Sequence, residues 1–384
     1  MALKKIYRHI TGEKLFSFND DIGQVPILGT TLSRHQLSVC QSLGLELIDI
    51  QDLKEVSETE FLYFKENLFF TKEFLKSALR SANSNSNKAR FCLKRNDFIT
   101  TYIFDNDPEA SDILKFEIYK HTTGGAEVQD EVLDQKVFDQ YFKVPKQIDR
   151  RGHLYFGQSD MFASSIISPF HLLYLNLAFN LSRTVPMQKL LPEWFIKRFI
   201  PVGGWVYYKS LKTLNRFGKN CLIHPTAVVE GCILGDNVKI GANCVVRLSH
   251  IGSGTTLEEN VTLTYSVLGE DCYIANNNIV NLCMCYESVF LIHGPYQFSM
   301  YGKNVGVMAV INCDFRLDQK PIKFMSSQGL INSHSTLLGI CYGHNSVVGG
   351  GNIIAPGRIV PNDIKITPPE SIIISKFDKF LGND

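Results

Sequence analysis

The chain has 384 residues, is 45% hydrophobic and carries 39 Lys and Arg against 38 Asp and Glu, a formal net charge of +1. That length supports two packed domains, and the composition excludes a disordered, collagenous or disulfide-dense protein. The near-zero charge leaves no surplus to draw the chain to nucleic acid or anionic lipid, so no nucleic-acid partner is expected.

At the N-terminus, Met1-Ala2-Leu3-Lys4-Lys5-Ile6-Tyr7-Arg8-His9 places charge where an export signal needs an apolar core. The expected compartment is therefore the cytoplasm, and the ten cysteines are expected as reduced thiols. Residues 1 to about 150 read as an α/β unit. Leu32, Leu37, Cys40 and Leu43 fall at helical spacing, and Leu45 to Ile50 suits a strand. A second strand, Phe61 to Phe64, leads through Leu68-Phe69-Phe70 to Thr71, which is placed to cap a helix from Lys72 to Ala82. Ser81 to Asn87 is a loop by composition, and the alternation of strands and helices predicts a doubly wound sheet.

Residues 151–217 read as a helical connector. Met161 to Leu181 is uncharged, but Ser164, Ser165, Ser168, Pro169, His171, Asn176 and Asn180 interrupt it, so no membrane span is expected. The stretch instead predicts a buried helix with Ser168 as N-cap and Pro169 in the first turn, and with His171 and Asn176 as satisfied core polar groups.

From 218 to 372 the chain repeats. Val229, Leu234, Ile240, Val246, Ile251, Leu257, Leu263, Leu268, Ile274 and Val280 follow a 5, 6, 6 spacing with a 17-residue cycle. An α-helical solenoid cannot hold that period, whereas a triangular prism of three short faces per coil can. Val238, Cys244, Thr255, Val261 and Cys272, four places on, are expected to pack inward near corners. Gly, Asn and Asp gather where tight corners need positive φ. The pattern lapses at 285–330, which predicts an extruded insertion containing Tyr286, Phe290, His293, Tyr296, Phe298 and the run Asp314 to Asp318. Such an insertion is the expected place for a substrate or subunit contact. Cys283-x-Cys285 has no second pair at zinc spacing, so no metal site is expected.

The repeat resembles the hexapeptide transferase family, and the resemblance implies a left-handed parallel β-helix assembled as a homotrimer. Pro26 to Gln36, followed by a helix and a strand, is similar to the early segment of sugar-1-phosphate nucleotidyltransferases. The order of the two units is similar to that of the bifunctional N-acetylglucosamine-1-phosphate uridyltransferases and glucosamine-1-phosphate acetyltransferases. The phosphate-cradling loop of that family is replaced here by Leu15 to Pro26, with one glycine, no basic residue and two acids, and Glu66 stands where a metal-binding acid is expected. The N-terminal unit therefore reads as a degenerate nucleotidyltransferase-like domain.

The resemblance further implies acyl transfer from acetyl-CoA or a related acyl-CoA, with a histidine as general base. His334 in Asn332-Ser333-His334-Ser335-Thr336-Leu337-Leu338-Gly339 keeps the family's position and His-to-Gly spacing, with His344 second and His293 third. Gly349, Gly350, Gly351 and Arg358 are candidates to line a pantetheine groove, and turn geometry is the alternative reading for them. Three functions remain open on the sequence: an acyltransferase acting on a sugar or nucleotide sugar, a binding or scaffold protein, and a sugar-1-phosphate nucleotidyltransferase.

Overall fold

The computed structural model describes residues 3–84, 87–104, 111–122, 127–189 and 209–369. The middle of the expected connector, 190–208, and the last three residues of the expected repeat region lie outside them.

The N-terminal unit is a six-stranded sheet of β1 (Lys5–His9), β2 (Glu46–Ile50), β3 (Glu60–Lys65), β4 (Ala89–Lys94), β5 (Ile113–Thr122) and β6 (Gln129–Leu133), in the order β2-β1-β3-β5-β4-β6. β1 runs parallel to β2 and β3, while β5 is antiparallel to both β3 and β4. The expected α/β unit thus has a mixed sheet rather than an all-parallel one. The difference lies at β5: antiparallel neighbours need no long crossover, and among the described residues the six-residue helix α3 (Asp97–Tyr102) lies between β4 and β5. Helix α1 (Leu32–Ser42) begins where the Thr31 hydroxyl accepts from the Arg34 N–H. Helix α2 (Lys72–Ser84) begins at Thr71, whose hydroxyl accepts from the Phe74 N–H, and runs past Ser81, where a loop was expected.

Helix α4 (Pro169–Ser182) forms as its sequence requires, with Ser168 accepting from the Phe170 N–H and Pro169 in the first turn. It is buried nearly all round. Its amide group Asn176 accepts from Leu28 N–H at 2.9 Å and donates to the Pro26 and Leu172 carbonyls, so the buried polar group is satisfied.

The C-terminal unit is a stack of parallel coils. The first face holds eight strands, from Arg216–Phe217 to Ile359–Val360, and the second holds eight, from Leu222–Ile223 to Lys365–Ile366. The third face holds five, Val228–Glu230 to Tyr296–Gln297, and is continued by Ile311–Asn312 paired with Ile353–Ile354. All ten aliphatic residues of the 5, 6, 6 pattern are buried in one core, as are Val238, Cys244, Val261 and Cys272. Main-chain bonds between neighbouring coils hold the stack, for example Lys239 N–H to Thr255 C=O and Thr256 N–H to Cys272 C=O, both at 2.9 Å.

Nearly every corner places one residue with positive φ in each coil. Between the first and second faces this residue is Asn220, Asn237, Gly254, Asp271, Ser288, Asn304, Asn345 and Asp363 in turn. Between the third and first faces bulky residues take the same strained backbone: Leu248, Tyr265, Leu282 and Phe298. Left-handed backbone costs such residues roughly 1–2 kcal/mol each, and here the cost is offset by burial against the N-terminal unit. The ring of Phe298 stacks with Tyr174 of α4 at 6.2 Å, and the Leu248 carbonyl accepts from Asn180 Nδ2 at 2.7 Å.

The expected insertion at 285–330 is corrected by this stack. Met284–Cys285, Phe290–Ile292, Tyr296–Gln297, Met300–Tyr301, Gly306–Met308 and Ile311–Asn312 all continue the prism. The period was hidden for two reasons. The coil after Val280 shortens so that Val280 pairs with Tyr296, 16 residues on, and the inward positions pass from aliphatic residues to Tyr296, Tyr301 and Tyr342. Tyr301 and Tyr342 stack inside the prism with centroids 5.2 Å apart, and the Tyr342 hydroxyl donates to Asn312 Oδ1 at 2.5 Å. The real excursion runs from 313 to 338 and carries an antiparallel hairpin, Lys323–Ser326 with Gly329–Asn332. Its Phe324 is fully buried, 5.2 Å from Phe104 and 4.9 Å from Phe170, so the excursion grips the N-terminal unit.

Tyr301→Ala should empty this aromatic layer and cost about 3–5 kcal/mol in urea unfolding. Tyr301→Phe, which keeps the ring, should stay within about 1.5 kcal/mol.

Candidate functional site

The two candidate histidines have different surroundings. His344 stands at the corner between the first and second faces, buried to 8% exposure. Its Nδ1 accepts from the Lys303 N–H at 2.8 Å, which fixes the proton on Nε2, and Nε2 donates to Asp20 Oδ2 at 3.0 Å. Both ring nitrogens are thus engaged by the protein. Phe18 packs edge-on to the imidazole at 4.9 Å, and the Phe18 carbonyl accepts from Asn362 Nδ2 at 2.8 Å. Burial alone would raise the Asp20 carboxyl, but the hydrogen bond from His344, the nearby Tyr286 hydroxyl and the Lys303 charge hold it below the usual carboxylate range. This constellation is a latch between the 15–21 loop and the prism, and it leaves His344 no nitrogen to serve as a base.

That latch also accounts for the loop that replaces the phosphate cradle. Leu15 and Phe18 are buried to 1%, and the Glu66 carboxylate accepts from the Thr11 and Gly12 N–H groups at 3.2 and 3.3 Å. Glu66 therefore anchors the start of the loop.

His334 lies in the last part of the excursion, with φ of 53° and its N–H bonded to Asn332 Oδ1 at 2.9 Å. It lines a cavity of about 80 Å³ between the prism, α4 and the N-terminal unit. Asp97, Arg151, Tyr155, Tyr174 and Phe298 also line it. Arg151 is held by a two-point pair with Asp149 at 3.0 and 2.9 Å, and Tyr155 donates to Asp139 at 2.8 Å.

The remaining candidates occupy other corners. Gly349 and Gly350 lead into Gly351, whose φ of +80° supplies the turn into the third face where Asn243, Asn260, Asn277, His293 and Ala309 serve earlier coils. His293 is thus one of the corner residues. Arg358 is exposed and follows Gly357, where an added Cβ would meet Ile322 at 2.6 Å. The cavity lined by His334 includes none of these residues. Cys283 and Cys285 are both buried in the prism core. Among the described residues no group of three His, Cys, Asp or Glu is placed to hold a metal, and no helix is long and apolar enough to cross a membrane.

One residue escaped the sequence reading. His250 replaces an aliphatic side chain in the outward column Ile233, His250, Val267, Met284 of the first face, and it lies beside Gly29 of the N-terminal unit. The 17-residue spacing would have exposed it had outward positions been aligned as the inward ones were.

Because the Asp20 carboxyl is held low, its stabilising contribution is complete above about pH 4 and disappears as pH falls through the lowered value. Asp20→Asn should remove that acid-range dependence from the thermal unfolding profile and cost about 1–3 kcal/mol near neutral pH.

Comparison with known proteins places the repeat. The bacterial transferase hexapeptide (six repeats) family model matches residues 216–247. The bifunctional protein GlmU of Ruthia magnifica subsp. Calyptogena magnifica is 29% identical over 175 residues, covering 38% of this chain and 39% of that protein. GlmU of Azoarcus sp. (strain BH72) is 26% identical over 181 residues, covering 41% of this chain and 38% of that protein. The chain thus spans about two fifths of the length of these curated relatives. Among solved structures, a mutant GDP-perosamine N-acetyl transferase from Caulobacter crescentus with CoA and GDP-perosamine is 17% identical, covers 39% of this chain and 51% of that chain, and has a TM-score of 0.19. With residues 216–247 matched by the hexapeptide family model and the coils stacked face on face, the C-terminal half of this chain is a left-handed parallel β-helix of hexapeptide-type repeats, preceded by an α/β domain.

Proposed function

We propose that the protein is an acyltransferase that moves an acyl group from acetyl-CoA or a related thioester to a hydroxyl or amine of a sugar or nucleotide sugar, with His334 as general base. The observation that carries the reading is the position of His334 in the wall of a cavity at the prism seam that Arg151 and Asp97 also line. In this role the imidazole takes the acceptor's proton as the acceptor attacks the thioester carbonyl, and the coenzyme's thiolate leaves. A cavity of about 80 Å³ admits an acyl group or the reacting edge of a sugar, so the rest of both substrates must lie outside it. Assembly as a homotrimer is part of the proposal. The third face offers an outward column that includes Ile279, Ile311 and Ile353, exposed to 49%, 58% and 69%, while the first face is occupied by the chain's own N-terminal unit.

A second reading, a binding or scaffold protein, is favoured by that same occupancy. Val267, Met284, Met300 and Cys341 point outward from the first face yet belong to the N-terminal core. Nucleotidyl transfer has less support, because Glu66 is committed to the Thr11 and Gly12 N–H groups within the N-terminal unit and Asp20 of the 15–21 loop to His344 of the prism.

Calorimetry with acetyl-CoA, paired with turnover of an amino-sugar panel, tests the proposal. Wild type and His334→Ala should both bind the thioester, and only the variant should lose about 10²–10⁴-fold in rate. Absence of thioester binding by wild type would leave the scaffold reading in front.

A further inference from the structure

A cleft of about 780 Å³ separates the 24–34 segment of the N-terminal unit from the first face of the prism and its corner with the second. We propose that this cleft binds an uncharged oligosaccharide laid across the coils. The site is separate from the cavity of His334, and the proposal stands whether or not His334 supports acyl transfer.

Shape is the first argument. One edge passes through Ser253, Glu270, Glu287 and Lys303, one residue per coil, so at ~4.8 Å per coil it extends roughly 14 Å. That repeat is comparable with the rise of a hexose chain. The floor's edge is smooth for a structural reason: a Cβ on Gly235, Gly252 or Gly269 would sit 2.4–2.6 Å from the backbone of the next coil. Half-buried Ile233, Pro26 and Leu28 offer apolar contact to the C–H faces of sugar rings, while Val267 and Met284 are covered by the N-terminal unit.

Charge is the second. Ser253, Glu270, Glu287 and Lys303 succeed one another along one rim, and Arg34 with Thr30 and Gln24 stands on the other. The charged groups of the cleft are two cations and two carboxylates, and Lys303 is already paired with Glu287 at 3.5 Å. A site for a polyphosphate concentrates donors and positive charge. A rim that mixes donors with acceptors and carries no net charge instead suits hydroxyls, which both donate and accept.

His250 is the third. Gly29, with φ of +80° and no side chain, brings the 26–31 hairpin so close that a Cβ would lie 2.8 Å from His250 Nε2. Burial, with Arg183 nearby, pushes the imidazole down to about 4, so it is neutral at physiological pH. Its Nδ1 is buried without a hydrogen-bond partner among the described residues.

The test is calorimetric titration of the full chain with chitotetraose, maltotetraose and cellotetraose, alongside their monosaccharides and UDP-N-acetylglucosamine. At least one neutral tetrasaccharide should bind at a single site, at least about tenfold more tightly than its monosaccharide. Ile233→Trp, which fills the floor, and Arg34→Ala, an exposed change that leaves packing intact, should each weaken it about tenfold or more, while His334→Ala should not. Thermal melting of each variant checks folding, and Arg34→Ala alone decides if Ile233→Trp does not fold. No binding of any neutral tetrasaccharide at millimolar concentration, tighter binding of UDP-N-acetylglucosamine, or indifference to Arg34→Ala would overturn the proposal.

Discussion

Everything in this molecule follows from the main-chain bonds that join each coil of the prism to the next. A bond such as Val245 N–H to Val261 C=O, at 2.9 Å, sets residue i of one coil directly above its counterpart in the next. Whatever stands at a position is therefore repeated as a column. Inward columns become a core, corner columns must tolerate positive φ, and outward columns become faces of uniform character. The first face is apolar outward through Val267, Met284, Met300 and Cys341, and a column of that kind left in water would invite association.

The N-terminal unit answers that constraint. It lies along the first face through α4, receives Phe324 of the excursion among Phe104, Phe170 and His171, and closes over His344 with Phe18 and Asp20. The strained corners at Tyr265, Leu282 and Phe298 meet this same unit, so local backbone cost and inter-unit packing are coupled. The 15–21 loop, where the resemblance places a phosphate cradle, is an adhesive element. Its two acids divide: Asp20 is taken by His344, while Asp21 pairs with Lys14 at 3.8 Å on the surface.

Much of this was legible in the sequence. Ser168 and Pro169 announced α4, Thr71 announced α2, and the columns through Val229, Leu234 and Ile240 announced the prism, because each rests on local spacing or capping chemistry. The reading stopped at Cys285 because Tyr296 and Tyr301 fill inward positions that an aliphatic pattern does not admit, and because one coil lost a residue. The candidate site was less legible. His344 had the look of a base, but its acid partner is 324 residues away and no spacing rule reaches that far. His250 stands in an outward column that the 17-residue spacing marks, but the 26–31 hairpin that closes over it is more than 200 residues away in the chain. The glycines at 349–351 show the reverse case, where turn geometry was the alternative and Gly351 supplies the corner.

The central claim is that the N-terminal unit is a cover fastened to the prism by the loop that nucleotide chemistry would need. Hydrogen exchange across residues 11–24, measured with and without millimolar UTP and magnesium, tests it most directly. The account predicts slow exchange at Leu15 and Asn19, whose N–H groups are bonded within the loop, and no change on adding nucleotide. Rapid exchange that becomes protected when UTP and magnesium are present would contradict it.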